Sequence, residues 1–274
     1  MAVDDAGSGP AVMLLHGYPF DRSMWREQID LLSANGFRAI APDLRGLGET
    51  SDELQFVAEV DHRSSERQAE AYRTITTMDD MARDVAALMD ELKVDRAVIC
   101  GLSMGGYVAL EFVHLFPTRV SGLVLAGTRA PADNEQEKLV REQQAQRILA
   151  EGMNGIAEAT LPKLLAPNTL NERPEVVAQV REMILRSDPR GAAAAQRGMA
   201  VRRDYSRDLP GIDVGTLVIV GREDPIRPVA DAEFMHRMIP NSRLEIIEDA
   251  AHMTNMEQPA VWNRALIDFL ELIH

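Results

Sequence analysis

Ser103 stands in the run Gly101-Leu102-Ser103-Met104-Gly105, with Gly106 directly after it. A serine hydroxyl is a weak nucleophile at neutral pH. It becomes useful when a base takes its proton and an acid orients that base. The run fits the G-x-S-x-G pattern of a nucleophile elbow, a sharp turn from strand to helix. The apolar run Ala97–Cys100 precedes it and helix-forming sequence follows. Flanking glycines remove side chains that would clash in the turn. The hydroxyl then stands above a helix N-terminus, where backbone N–H groups favour developing negative charge. The G-x-G-x-x-G spacing of a dinucleotide-binding turn is absent.

After such an elbow the acid comes next in chain order, then the histidine. His236, His252 and His274 follow Ser103 at a useful distance. His274 is the last residue of the sequence, and His236 lies in a stretch that reads as a surface helix. His252 sits in Asp249-Ala250-Ala251-His252, a loop after one apolar run and before the last helix, so it is the expected base. Asp224 in Gly221-Arg222-Glu223-Asp224-Pro225 is the expected acid, with Glu223 as fallback.

The elements that must hold these residues are short apolar runs separated by helical stretches. The runs are Ala11–Leu15, Phe37–Ala41, Ala97–Cys100, Gly122–Ala126, Thr216–Val220 and Leu244–Ile247. Each is too short for a helix and suits a buried parallel strand. Met78, Met81, Val85, Leu88 and Leu92 trace one helical face, and Thr77 with Asp80 gives that helix a capping box. Pro259 fits the first turn of a final helix with a broad apolar face. Alternation of this kind predicts an α/β doubly wound, mostly parallel sheet. The alternation stops between Arg129 and Asp213. There, helical pieces at Asn134–Glu151, Glu175–Arg186 and Gly191–Val201 are punctuated by Pro162, Pro167, Pro174 and Pro189. The expected organisation is therefore a core of residues 1–128 and 213–274, with a helical lid inserted at 129–212. Leu161, Leu164, Leu165, Met183, Ile184 and Met199 would form the lid's apolar underside. The charge-dense stretch Asp52–Arg73 reads as a solvated loop that could join the rim of the site.

Four motifs in this order resemble the α/β-hydrolase superfamily over nearly the whole chain. They are His16-Gly17 after an early strand, Asp43-Leu44-Arg45-Gly46-Leu47-Gly48 with Ser51, Gly221-x-x-Asp224-x-x-x-Pro228, and His252 with Glu257 and Pro259. The resemblance implies an oxyanion hole made by the backbone N–H groups of Tyr18 and Met104. It also implies a structural role for His16. Gly17-Tyr18-Pro19-Phe20-Asp21 with Trp25 resembles esterases related to cofactor-free haloperoxidases, which implies a peracid-forming side activity tied to Pro19. Pro19 and Trp25 are thus candidate substrate contacts. The Gly101–Gly106 elbow also resembles that of 3-oxoadipate enol-lactonases. An anionic lactone would want a cation in the pocket, for which Arg129 is the candidate; the alternative is an ion pair between Arg129 and the insert. Epoxide hydrolases and dehalogenases of this superfamily carry Asp where this chain has Ser103. The family usually opens with a β-hairpin before the His-Gly strand, and only ten residues precede it here. A strand is therefore expected to be missing, leaving a sheet edge that pairing into a homodimer could cover.

Composition narrows the rest. The 274 residues are 46 % hydrophobic and 26 % charged, which suits one large globular domain. A formal charge of −14 disfavours nucleic acid and anionic membranes as partners. One cysteine, Cys100, excludes an intrachain disulfide. His62 and His114 have no metal-ligand spacing, so neither metal nor cofactor is implied. The acidic N-terminus lacks the pattern of a signal peptide, and a cytoplasmic location is expected. The reading is a serine hydrolase for short to medium acyl esters, working without a cofactor through Ser103, Asp224 and His252. A lactonase and a non-catalytic ligand-binding homologue are the alternatives.

Overall fold

The computed structural model describes residues 1–53 and 74–273. Six strands run parallel: β2 (Ala11–Leu15), β3 (Arg38–Pro42), β4 (Ala97–Leu102), β5 (Val120–Ala126), β6 (Thr216–Gly221) and β7 (Ser242–Ile247). They are the six apolar runs of the sequence, with ends shifted by one or two residues. A seventh, β1 (Val3–Gly7), pairs antiparallel with β3, and the sheet order is β1-β3-β2-β4-β5-β6-β7. β1 has no apolar run because it is an edge strand. Asp5 points out to Arg38 and Asp4 to Arg22, at 2.6 and 3.0 Å. One strand, β1, thus precedes the His-Gly strand where the family's hairpin would supply two, and β1 rather than β3 forms the edge of the sheet.

Helix α1 (Arg26–Ala34) packs against the last helix of the chain on one face of the sheet. On the other, α2 (Met78–Glu91) packs against α3 (Met104–Leu115). The Thr77–Asp80 capping box forms as the sequence predicts. β2, β4 and β5 are almost wholly buried, which explains their continuous apolar composition.

Between β5 and β6 the chain leaves the sheet and forms α4 (Glu135–Glu151), α5 (Asn154–Leu164), α6 (Pro167–Glu172), α7 (Pro174–Arg186) and α8 (Pro189–Ala200). Pro167, Pro174 and Pro189 each open a helix, where the missing N–H costs nothing. Pro162 instead lies inside α5, close to its end. Reading it as a break hid α5, and α6 was too short to show a period. Leu161, Leu164, Leu165, Met183, Ile184 and Met199 are all buried. After β6 come α9 (Val229–Met238), β7, the short α10 (Thr254–Glu257) and α11 (Pro259–Ile273), the helix that packs on α1. The charged stretch 52–73 falls, from residue 54 onward, outside the described residues. Among the described residues no helix is long and apolar enough to cross a membrane.

Candidate active site

Because six strands are parallel, their carboxyl ends lie along one edge of the sheet. Register then brings the candidates together. Leu15 pairs with Gly101, Leu102 with Ala126, and Gly221 with Ile247. The Gly17–Tyr18 turn, Ser103, Asp224 and His252 all follow directly from those strand ends.

Ser103 is the turn between β4 and α3. Its φ of 56° and ψ of −111° are strained for a side-chain-bearing residue, at a cost of about 1–3 kcal/mol. Its backbone is held at several points. Its N–H donates to Ala126 O at 2.8 Å, and its carbonyl accepts from Gly106 N and from the Thr128 hydroxyl, at 3.0 and 2.9 Å. A β-carbon on Gly105 would lie 2.1 Å from the Leu15 carbonyl oxygen, so only glycine lets α3 approach β2 this closely. Ser103 is half-buried between the buried Leu102 and Met104. Met104 opens α3, so its N–H is one of the first-turn donors that a helix leaves without an intrahelical acceptor.

His252 Nδ1 and Asp224 Oδ2 are 2.7 Å apart, with the histidine 2 % and the aspartate 5 % exposed. The other Asp224 oxygen accepts from the backbone N–H groups of Ile226 and Arg227 at 2.8 and 2.9 Å. A carboxylate so bonded requires Nδ1 to be the donor, which leaves Nε2 as the free lone pair. The histidine loop lies against the acid strand because a β-carbon on Gly221 would meet Ala251 O at 2.0 Å. A β-carbon on Gly127, next after β5, would fall 3.4 Å from the His252 ring. That ring therefore stands beside the residue following Ala126, whose carbonyl holds Ser103.

His16 is structural, as the resemblance implies. Leu44 N–H donates to its Nε2 at 2.9 Å, so Nδ1 carries the proton and faces Gly17 O at 2.8 Å. Burial lowers its pKa and keeps it neutral. It ties the Gly17–Tyr18 turn to the Asp43 loop. Asp43 is itself fully buried and accepts from Arg22 N and Glu49 N at 2.7 and 2.8 Å. Tyr18 is half-buried, and burial pushes its phenol well up. Pro19 is buried, and its carbonyl accepts from the Ser187 hydroxyl of the insert at 2.7 Å. Trp25 is wholly buried with its ring 5.5 Å from that of Trp262 on α11, a packing position.

Arg129 takes the ion-pair alternative. It reaches Asp133 and Glu137 at 2.7 and 2.8 Å. Asp133 also pairs with Arg141, and with Arg202 at 2.6 Å. Burial alone would raise the Asp133 carboxyl; bonding and charge from Arg141 and Arg202 outweigh it and hold the group well below the usual range. Arg202 also lies 4.1 Å over the ring of Tyr107, whose hydroxyl accepts from Arg227. Burial would raise the Tyr107 phenol, but Arg227, Arg202 and Arg141 together lower it. Tyr107 and Arg227 went unnoticed in sequence. Arg227, three residues past Asp224, was the available signal. Cys100 is buried and its thiol is pushed up by burial, which suits inert packing. His62 lies outside the described residues, and among those residues no group of acidic, histidine and cysteine side chains could hold a metal ion.

The family model for the alpha/beta hydrolase fold matches residues 10–259. The chain belongs to the alpha/beta-hydrolase family. This hydrolase is 30 % identical to 3-oxoadipate enol-lactonase 2 of Acinetobacter baylyi over 94 % of its own length and 87 % of the relative's. Among solved structures it is similar to a thermophilic esterase from Thermogutta terrifontis with malate bound. That match has a TM-score of 0.89 at 40 % identity, covering all of this chain and 93 % of the other. It is also similar to the enol-lactonase from Burkholderia xenovorans LB400, with a TM-score of 0.84 at 27 % identity, covering 98 % and 96 %.

Proposed function

We propose that this hydrolase cleaves carboxylic esters through an acyl-enzyme on Ser103. His252 is the general base, Asp224 is the acid that orients it, and the N–H groups of Tyr18 and Met104 form the oxyanion hole. The 2.7 Å bond between His252 Nδ1 and Asp224 Oδ2, beside a strained serine turn, carries this reading. Ser103 Oγ attacks the ester carbonyl carbon as His252 Nε2 takes its proton. The two N–H donors hold the oxyanion, each worth roughly 10²–10³ in rate. The intermediate collapses, the imidazolium protonates the leaving alcohol, and a water activated by His252 then releases the acid. The helices between β5 and β6 serve as a lid. Their buried apolar residues favour uncharged short to medium acyl chains.

A second reading keeps the same three residues and opens a lactone ring. The likeness to the enol-lactonases favours it. Turnover of p-nitrophenyl esters from acetate to decanoate, run beside a lactone panel with wild type and Ser103→Ala, separates the two. Ester turnover that vanishes in Ser103→Ala is the expected result. Dominant lactone turnover moves the reaction to the second reading. Turnover that survives the substitution defeats Ser103 as the nucleophile, and no turnover on either panel defeats the assignment and favours a ligand-binding role.

A further inference from the structure

We infer that Glu257 is a positioning residue for His252: its carboxylate clamps the histidine loop to the helical insert. The inference rests on the reading of His252 as the base. Glu257 closes α10 and is 2 % exposed. One oxygen accepts from Ala251 N, the peptide just before His252, at 2.9 Å. The other accepts from Ala166 N at 2.6 Å and from the Thr169 hydroxyl at 2.9 Å, both on the insert. The insert also holds the loop directly. The N–H groups of His252 and Met253 both donate to Leu164 O at 3.1 Å. Arg173 donates to the carbonyls of Glu257 and Met256 at 2.7 and 3.2 Å.

The chemistry explains the residue type. Three donors converge from two sides, and only an ionised carboxylate offers acceptors on both oxygens. A glutamine of the same size would turn its amide N–H against at least one of them. Burying a charge is costly, so a residue that merely filled space here would be better served by an apolar side chain. The Asp224 bond fixes the ring at Nδ1. The clamp fixes the peptide that carries the ring, and together they set where Nε2 points. The insert is thus part of the frame that aims the base, besides covering the site.

Two variants test this: Glu257→Gln, and Thr169→Val, which cuts only the insert side. Each is measured for fold by thermal melting, for kcat and KM separately on the best p-nitrophenyl ester, and for the downfield proton resonance shared by His252 and Asp224. Folded Glu257→Gln is expected to lose about 10²-fold in kcat, the cost of misplacing a reacting group by about an ångström. KM should stay nearly unchanged and the resonance should broaden. Thr169→Val should lose about 5-fold in kcat, the worth of one hydrogen bond. Wild-type kcat with a sharp resonance in folded Glu257→Gln overturns the inference. If Glu257→Gln does not fold, the same result in Thr169→Val overturns it. Either outcome leaves the Ser103-dependent reading standing, since that reading is tested separately, by the loss of turnover in Ser103→Ala.

Discussion

The parallel sheet and the helical insert hold the candidate site in different ways. The sheet places Ser103, Asp224 and His252 by register. Each residue follows a strand whose register with its neighbours fixes its height, and the supports are repetitive backbone bonds. The insert works through single polar contacts between residues far apart in the chain. Leu164 O holds the histidine loop, Ser187 holds Pro19 O, and Arg186 reaches Asp21 at 2.8 Å. Three arginines converge on Asp133, just before α4. Periodic support tolerates change within its pattern, whereas contact support depends on individual side chains. Substitutions in the sheet-held pair should therefore remove chemistry while leaving the fold. Substitutions in the insert's polar centre should remove fold while leaving the chemistry of the surviving molecules.

The largest effect on this contrast is expected from Asp224→Asn. It keeps shape but no longer holds the proton on Nδ1. A fall of about 10⁴-fold in kcat is expected, as for loss of the equivalent carboxylate in serine proteases. Its melting temperature should stay near that of wild type, checked by calorimetry beside steady-state kinetics. A large loss of stability would mean that the pair is a structural tie as well, and would blur the contrast.

Asp133→Asn tests the other half. It leaves Arg129, Arg141 and Arg202 crowded without their shared carboxylate, and breaking a buried pair costs about 3–5 kcal/mol. Chemical unfolding should show that loss, with kcat per folded molecule within a few-fold of wild type. The pH dependence has a definite sign. The folded-state pKa of Asp133 lies below its ordinary value of 3.8. Its ionised form therefore stabilises wild type above that value, and the contribution disappears as pH falls from there toward the lowered folded value. Wild type should lose stability on acidification through this window, and the variant should lose less. Equal acid slopes would show that Asp133 is not the group responsible.

The same division decides what could be read from sequence. The inner parallel strands were visible because burial on both faces makes them apolar, whereas the edge strand β7 showed only the short run Leu244–Ile247, interrupted by Glu245. The Ser103, Asp224 and His252 candidates were visible because the fold family they resemble has this chain order and each sits just past an apolar run. β1 was not visible, since an edge strand facing water can carry Asp4 and Asp5. α5 was hidden by Pro162, which lies late enough in the helix to be tolerated. Arg129 could be read as an anion anchor because its partners Asp133 and Glu137 lie in the insert, where sequence gives no register. Glu257 stood out only as part of a motif. Its partners Ala166 and Thr169 lie 91 and 88 residues away, and no local pattern links them.

The central claim is a covalent step on Ser103. Rapid mixing with p-nitrophenyl acetate, acid quench and peptide mass spectrometry test it most directly. The account predicts one acetyl group on the peptide containing Ser103 in wild type, formed with a burst of p-nitrophenol, and none in His252→Ala on the same timescale. Turnover with no acyl group on Ser103, or equal acylation in His252→Ala, would contradict it.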